Sequence, residues 1–283
     1  MIDIVCQIAV FVRGKRMGHF TCNFISYSLN RSVTVNVILP TLTCPEIFAG
    51  EKSHEVKEKY PVLYLLHGGI NDYSSWERYT SIERYAEERR IAVVTFSSEN
   101  KCYMDIDASG KENPIFGHDH LYTFASEELP DFVTSIFPIS KDPEHTYIAG
   151  LSMGGMGTLT CAMNHPDRYR AIGVLSATAC DGSIGGEAIS SDTRYNTEAL
   201  MRRHAEAGTK LPALYTAMGG NDWGMEGYRK WLSKMEELNI PYTVDIVPGY
   251  GHEWAFWDME IQKFLDWLPR TDEYYLDSPI RDL

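Results

Sequence analysis

The sequence predicts an α/β protein built on one mostly parallel, eight-stranded sheet with helices on both faces. Two observations carry that reading. Apolar runs of strand length recur at residues 62–66, 91–96, 146–149, 171–175, 213–217 and 242–247. Helix-like stretches separate or follow most of them, at 74–89, 121–137, 153–164, 226–238 and 253–268. A strand that is apolar throughout has to be covered on both sides, which is the condition of a parallel sheet held between helix layers.

The first elements differ in kind. Residues 21–29 and 32–39 are rich in β-branched and alternating apolar residues, with Leu29-Asn30-Arg31 between them. That pattern predicts an antiparallel hairpin with a tight turn. Residues 45–60 are polar and charged, a surface loop. Two long connections, 97–120 and 181–210, leave from strand carboxyl ends, where ligands bind in open α/β sheets. Both are candidate pocket walls. The second contains a helix-like stretch at 197–207 and is a candidate cap or lid insertion. Residues 1–12 are fairly apolar and precede Arg13, Lys15 and Arg16, the reverse of the charge order in a secretory leader. Met17 opens a strand-like segment. Residues 1–16 are therefore expected to be an N-terminal extension and 17–283 a single domain.

Composition narrows the function classes. Hydrophobic residues make up 44% of the 283 positions, enough to bury the core that such a sheet requires. The net charge of −13 repels phosphate backbones and anionic lipid, so neither nucleic acid nor membrane is an expected partner. No run approaches the ~18 apolar residues of a membrane span. The cysteines at 6, 22, 44, 102, 161 and 180 form no C-x-x-C pair and read as free thiols of a cytoplasmic protein.

Chemistry enters at Gly150-Leu151-Ser152-Met153-Gly154. This G-x-S-x-G motif follows a strand-like segment and opens a helical one, the context in which it forms a nucleophile elbow. Glycine two places before and two after the serine removes side chains that would strike neighbouring backbone in so sharp a turn. Ser152 is thereby raised above the sheet edge as a candidate nucleophile, over a helix N-terminus that favours a developing oxyanion. A serine hydroxyl needs a base. In the chain order Ser…Asp…His, His252 is the one histidine that follows every candidate acid, and it lies just after the last predicted strand. The acid is expected between them at a strand end. Asp222, in Gly219-Gly220-Asn221-Asp222, is preferred to Asp181 on the preceding connection; Asp192 and Asp245 are less well placed. The loop His67-Gly68-Gly69-Ile70 after the strand at 62–66 matches the place of an oxyanion-hole donor. The candidate donors are the backbone N–H groups of Met153 and Gly69, with Ile70 as second choice. His67 reads as a brace for this loop. Together these features specify the α/β-hydrolase fold and a serine hydrolase.

The sequence resembles the esterase D family of esterases, near its tributyrin esterase branch. The resemblance rests on His67-Gly68-Gly69 with Asp72 and Trp76, on Tyr147 to Gly155, on Gly220-Asn221-Asp222, and on Gly251-His252-Glu253-Trp254 with Phe256-Trp257-Asp258. It spans about residues 20–268. It implies a carboxylesterase with Ser152, Asp222 and His252 as its triad, a small-molecule ester as substrate, no cofactor, and a homo-oligomer. Short-chain acyl esters are the preferred substrates; feruloyl or acetyl groups on plant polysaccharides and S-formylglutathione are the alternatives within the family. S-formylglutathione hydrolases carry a histidine before the serine and another after the paired glycines, where this chain has Leu151 and Met156, which weakens the thioester reading. An acyltransferase and a non-catalytic module on the same fold rank lower. Ile70, Trp223 and Trp254 are the candidate substrate contacts; Trp76 and Trp257 read as packing residues. His118-Asp119-His120 has metal-ligand residue types, but the sequence shows no further ligand beside it, and no metal is expected.

Overall fold

In the computed structural model, residues 16–41, 47–50, 52–54, 56, 58–107, 118–181, 183–184, 187–188 and 191–275 are described. Eight strands form the main sheet: β1 (Arg16–Ser26), β2 (Arg31–Thr41), β3 (Val62–Leu66), β4 (Ala92–Phe96), β5 (Thr146–Leu151), β6 (Ala171–Leu175), β7 (Ala213–Gly219) and β8 (Thr243–Val247). Their order is β1-β2-β4-β3-β5-β6-β7-β8. The hairpin β1–β2 is antiparallel and joins β4 antiparallel; every other pairing is parallel. The expected architecture is therefore the observed one.

The continuous apolar runs are explained by alternation. Val62, Tyr64 and Leu66 of β3 point into one apolar cluster, and Leu63 and Leu65 into the other. Helices α1 (Ser75–Tyr79), α2 (Ile82–Glu88) and α7 (Trp254–Trp267) cover one face through Trp76, Tyr85, Phe256 and Phe264. Helices α3 (Leu129–Ile136), α4 (Met153–Asn164), α5 (Thr197–Ala207) and α6 (Met225–Glu237) cover the other through Val133, Leu159, Leu200 and Trp231. The two edge strands, β1 and β8, are the ones left largely part-buried or exposed.

Several boundaries differ from expectation, each for a local reason. Strand β1 begins at Arg16, paired with Thr41, and stops at Ser26, three residues before the predicted end. The Glu128 carboxylate stops it, accepting hydrogen bonds from Ser26 Oγ (2.7 Å), Tyr27 N (3.0 Å) and Ser28 N (2.9 Å). The chain then turns through Asn30 at φ 49°, a left-handed conformation that asparagine tolerates. The predicted helix at 74–89 is split into α1 and α2, and the Thr80 hydroxyl between them accepts the Ile82 N–H at 3.1 Å. The predicted helix at 121–137 holds a π-helical segment, Phe124–Glu128, just before Pro130. Proline has no N–H for the carbonyl one turn earlier, and the freed Ser126 carbonyl accepts from Arg168 Nη1 at 2.6 Å.

Glu128 gives a first prediction. Glu128→Ala leaves three donors of the β1–β2 turn without an acceptor in a buried place, at a cost of about 2–4 kcal/mol. A lowered thermal midpoint, with unchanged specific activity of the folded fraction, is the expected result.

The long connections carry small elements. Residues 97–120 include an antiparallel ribbon of Asp105–Asp107 with His118–His120. Residues 181–210 include a ribbon of Ser183–Ile184 with Glu187–Ala188, an Asp181–Asn196 bridge and α5. Cys22, Cys102, Cys161 and Cys180 are free thiols; Cys6 and Cys44 lie outside the described residues, as do residues 1–15 of the expected extension. Among the described residues no helix is long and apolar enough to cross a membrane.

Candidate active site

Every candidate residue sits at the carboxyl end of the sheet. Ser152 follows β5 directly and has φ 52° and ψ −120°, a conformation that a non-glycine residue holds only under constraint. Neighbouring backbone supplies that constraint. Ser152 N donates to the Leu175 carbonyl at 2.8 Å, and Ser152 O accepts from Gly155 N at 2.9 Å. The two motif glycines are sterically required. A Cβ at Gly150 would stand 2.4 Å from the Gly154 carbonyl, and one at Gly154 would stand 2.5 Å from the Leu66 carbonyl oxygen. Gly155 packs α4 against the loop after β6, where a Cβ would meet Ala177 at 2.6 Å.

The candidate acid and base are positioned by each other's loops. Gly220 N donates to the Val247 carbonyl and Asn221 N to the Tyr250 carbonyl, both at 2.8 Å. A Cβ on Gly219 would lie 2.5 Å from the Tyr250 oxygen. These loops leave β7 and β8, which are neighbours in the sheet. The result is a chain of hydrogen bonds: His252 Nε2 lies 3.0 Å from Ser152 Oγ, and His252 Nδ1 lies 2.7 Å from Asp222 Oδ2. The other Asp222 oxygen accepts the Gly224 N–H at 2.8 Å, so both oxygens of a buried carboxylate are satisfied. The rival acids lie in other settings. Asp181 is exposed, on a backbone bridge to Asn196, while Asp192 caps a turn through Arg194 N and Asp245 pairs with Lys263.

The loop after β3 distinguishes its two candidate donors. Ile70 N donates to Asn100 Oδ1 at 2.6 Å, whereas neither Gly69 N–H nor Met153 N–H has a hydrogen-bond acceptor among the described residues. Gly68 cannot be larger, because its Cβ would lie 2.4 Å from Leu151 Cδ1; a Cβ at Gly69 would meet almost nothing. His67 is buried and braces the loop. Its Nδ1 donates to the Gly68 carbonyl at 2.6 Å, its Nε2 accepts from Ser98 N at 2.9 Å, and its carbonyl accepts from Tyr103 Oη at 2.9 Å.

Burial lowers the pKa of His67 below the ordinary 6.5. The folded state therefore binds fewer protons than the unfolded one as pH falls through 6.5. The brace contributes its full stability above that pH and loses it below. In His67→Gln the side-chain oxygen can still accept from Ser98 N without titrating. We expect a smaller fall in thermal midpoint between pH 7.5 and pH 5 in this variant than in the parent.

The candidate substrate contacts separate. Trp223 is 81% exposed with its ring 5.2 Å from the His252 ring, and Ile70 is 93% exposed at φ 56°. Trp254 lies further out, stacked on Tyr79 at 4.9 Å and edge-on to Trp76 and Trp257 at 5.3 Å. The ring against the other side of His252 is Trp257, at 5.0 Å and perpendicular, and its Nε1 donates to Ser176 Oγ. Trp257, read from sequence as a packing residue, is buried and packs against the imidazole. Asn100 is the site residue that sequence reading missed, because it carries no motif.

The esterase family described as "Putative esterase" matches residues 26–268. The chain belongs to this esterase family. An acetyl esterase of Caldicellulosiruptor saccharolyticus is 27% identical over 282 residues, covering 91% of this chain and 100% of the relative. Among solved structures, the fluorophosphonate-binding serine hydrolase F of Staphylococcus aureus shares 26% identity at a TM-score of 0.75, covering 89% of this esterase and 98% of that chain. An S-formylglutathione hydrolase of the same organism shares 28% at 0.72, covering 91% and 98%. The esterase thus has the α/β-hydrolase fold, and its family and neighbours are those of a serine carboxylesterase.

Proposed function

We propose that this esterase hydrolyses short-chain acyl esters through an acyl-enzyme on Ser152. The observation that carries the reading is the continuous Ser152–His252–Asp222 hydrogen-bond chain at 3.0 and 2.7 Å. In the first half-reaction Ser152 Oγ attacks the ester carbonyl carbon while His252 Nε2 takes its proton. Asp222 holds the Nδ1–H tautomer and stabilises the imidazolium. The carbonyl oxygen becomes an oxyanion facing the unengaged N–H groups of Met153 and Gly69, at the N-terminus of α4. His252 then protonates the departing alkoxide. In the second half-reaction the same imidazole deprotonates water, which attacks the acyl carbon and returns Ser152 to its hydroxyl form.

The short-acyl preference is supported by the acetyl esterase relative. It is also supported by two exposed apolar side chains on the site loops, Ile70 and Trp223, the latter with its ring 5.2 Å from that of His252. The thioester reading is weakened by Leu151, which is buried beneath the Gly68 loop and offers no polar group there. We read residues 181–210 as a cap. They leave from the rim at β6 and are tied back by the Asp181–Asn196 bridge and by the Arg194–Asp105 ion pair. The four free thiols support a cytoplasmic setting.

The test is kcat/KM on acetyl, butyryl, octanoyl, feruloyl and S-formylglutathione substrates at one enzyme concentration. Acetyl or butyryl esters should lead. A lead for feruloyl esters or for the thioester would replace the substrate assignment, and no turnover of any ester would remove the reaction.

A further inference from the structure

The ribbon between β4 and α3 brings together three side chains that the proposed reaction does not use. In its antiparallel register Asp107 is opposite His118 and Asp105 is opposite His120. Alternation along a strand then sorts the side chains. Asp119 turns away from its two histidine neighbours and pairs with Lys101 and Arg31. His118 and His120 share the other face with Asp107. His118 Nδ1 lies 2.6 Å and His120 Nε2 2.7 Å from the same oxygen, Asp107 Oδ1, and the three ligand atoms all fall within 4.8 Å of one another. The sequence shows only the two histidines; strand pairing supplies the third group from 11 residues upstream.

We propose that Asp107, His118 and His120 bind one divalent transition-metal ion, with zinc the fitting probe. Two imidazole nitrogens and one carboxylate oxygen suit zinc and its first-row neighbours, while calcium and magnesium take oxygen ligands. With metal–donor distances of about 2.0–2.2 Å, the donors need only spread slightly from their present mutual hydrogen bonds to surround an ion. Three protein ligands leave a position for water. The side chains of His118, His120 and Asp107 are 21%, 36% and 67% exposed, so an ion enters without any opening of the fold.

The consequence is mechanical. An ion shared by both strands would pin the ribbon. The same ribbon holds the 181–210 segment, through Asp105 to Arg194 Nη1 (2.9 Å) and through Asp105 N to Tyr195 Oη (2.8 Å). The site is thus a structural clasp between the ribbon and the connection after β6, made of groups the proposed reaction does not use.

The experiment uses the full chain without an affinity tag, stripped with a chelator. Zinc chloride is titrated by calorimetry and cobalt chloride by visible absorption. We expect one ion per chain with micromolar or tighter affinity, cobalt d–d bands, and a rise in thermal midpoint on adding zinc. His120→Ala and Asp107→Ala should each weaken binding by more than about 10-fold, which is the loss that even an outer-shell partner can cause. Ester turnover of the metal-free variants reports that they are folded. No saturable binding below millimolar zinc would overturn the proposal. So would unchanged affinity in the His118→Ala/His120→Ala double variant, which would place the ion elsewhere.

Discussion

Ser152→Ala should lower kcat by about 10⁶-fold on an acetyl or butyryl ester and abolish covalent labelling by a fluorophosphonate. The size follows from the arrangement. Among the described residues the hydroxyl is the group aligned with His252 Nε2, at 3.0 Å, so in the proposed mechanism its loss ends covalent catalysis rather than weakening it. What remains is the background contributed by binding and by the oxyanion donors, about 10³–10⁴ over water. The fold should be untouched. The φ of 52° is imposed by Leu175, Gly154 and Leu66 around the elbow, and alanine occupies it as serine does. His252→Ala should cost a similar factor, and the double variant little more than either alone, because the two act as one unit. Residual activity within ten-fold of the parent, in protein with an unchanged thermal midpoint, would take Ser152 out of the reaction.

Asp222→Asn should lower kcat by about 10⁴-fold with little change in structure. One carboxylate oxygen accepts from Gly224 N and the other faces His252 Nδ1. Asparagine can keep its oxygen on Gly224, which turns its NH₂ toward the imidazole. Nδ1 must then accept, the ring proton moves to Nε2, and Nε2 can no longer take the proton of Ser152. The loss should therefore fall on kcat more than on KM. Asp181→Asn is the comparison. That residue is exposed and His252 Nδ1 is engaged by Asp222 instead, so its variant should stay near the parental rate. If the two variants exchanged these effects, the acid would have been wrongly assigned.

The parts of the fold that sequence made legible are those with a local cause. Leu63 and Leu65 alternate with Val62, Tyr64 and Leu66, so β3 reads as apolar throughout and implies two covered faces. Gly150 and Gly154 mark the elbow because only glycine fits there. The order Ser152, Asp222, His252 selects the base. Where expectation and structure part, the cause lies far along the chain. Glu128 ends β1 from about a hundred residues away, and Pro130 reshapes a helix whose freed carbonyl is taken by Arg168.

The candidate site divides in the same way. From its own sequence this protein determined an α/β sheet, a serine raised on a strained turn, and a histidine and an aspartate on late loops. The sequence also favoured Asp222 over Asp181 from its loop; tertiary structure alone decided that Asn100 occupies the Ile70 N–H and leaves the Gly69 N–H free, that Trp257 flanks the imidazole, and that Asp107 joins two histidines. The physical reason is that spacing and side-chain volume act between near neighbours, while hydrogen-bond partners are chosen among groups that only strand order and loop packing bring within about 3 Å.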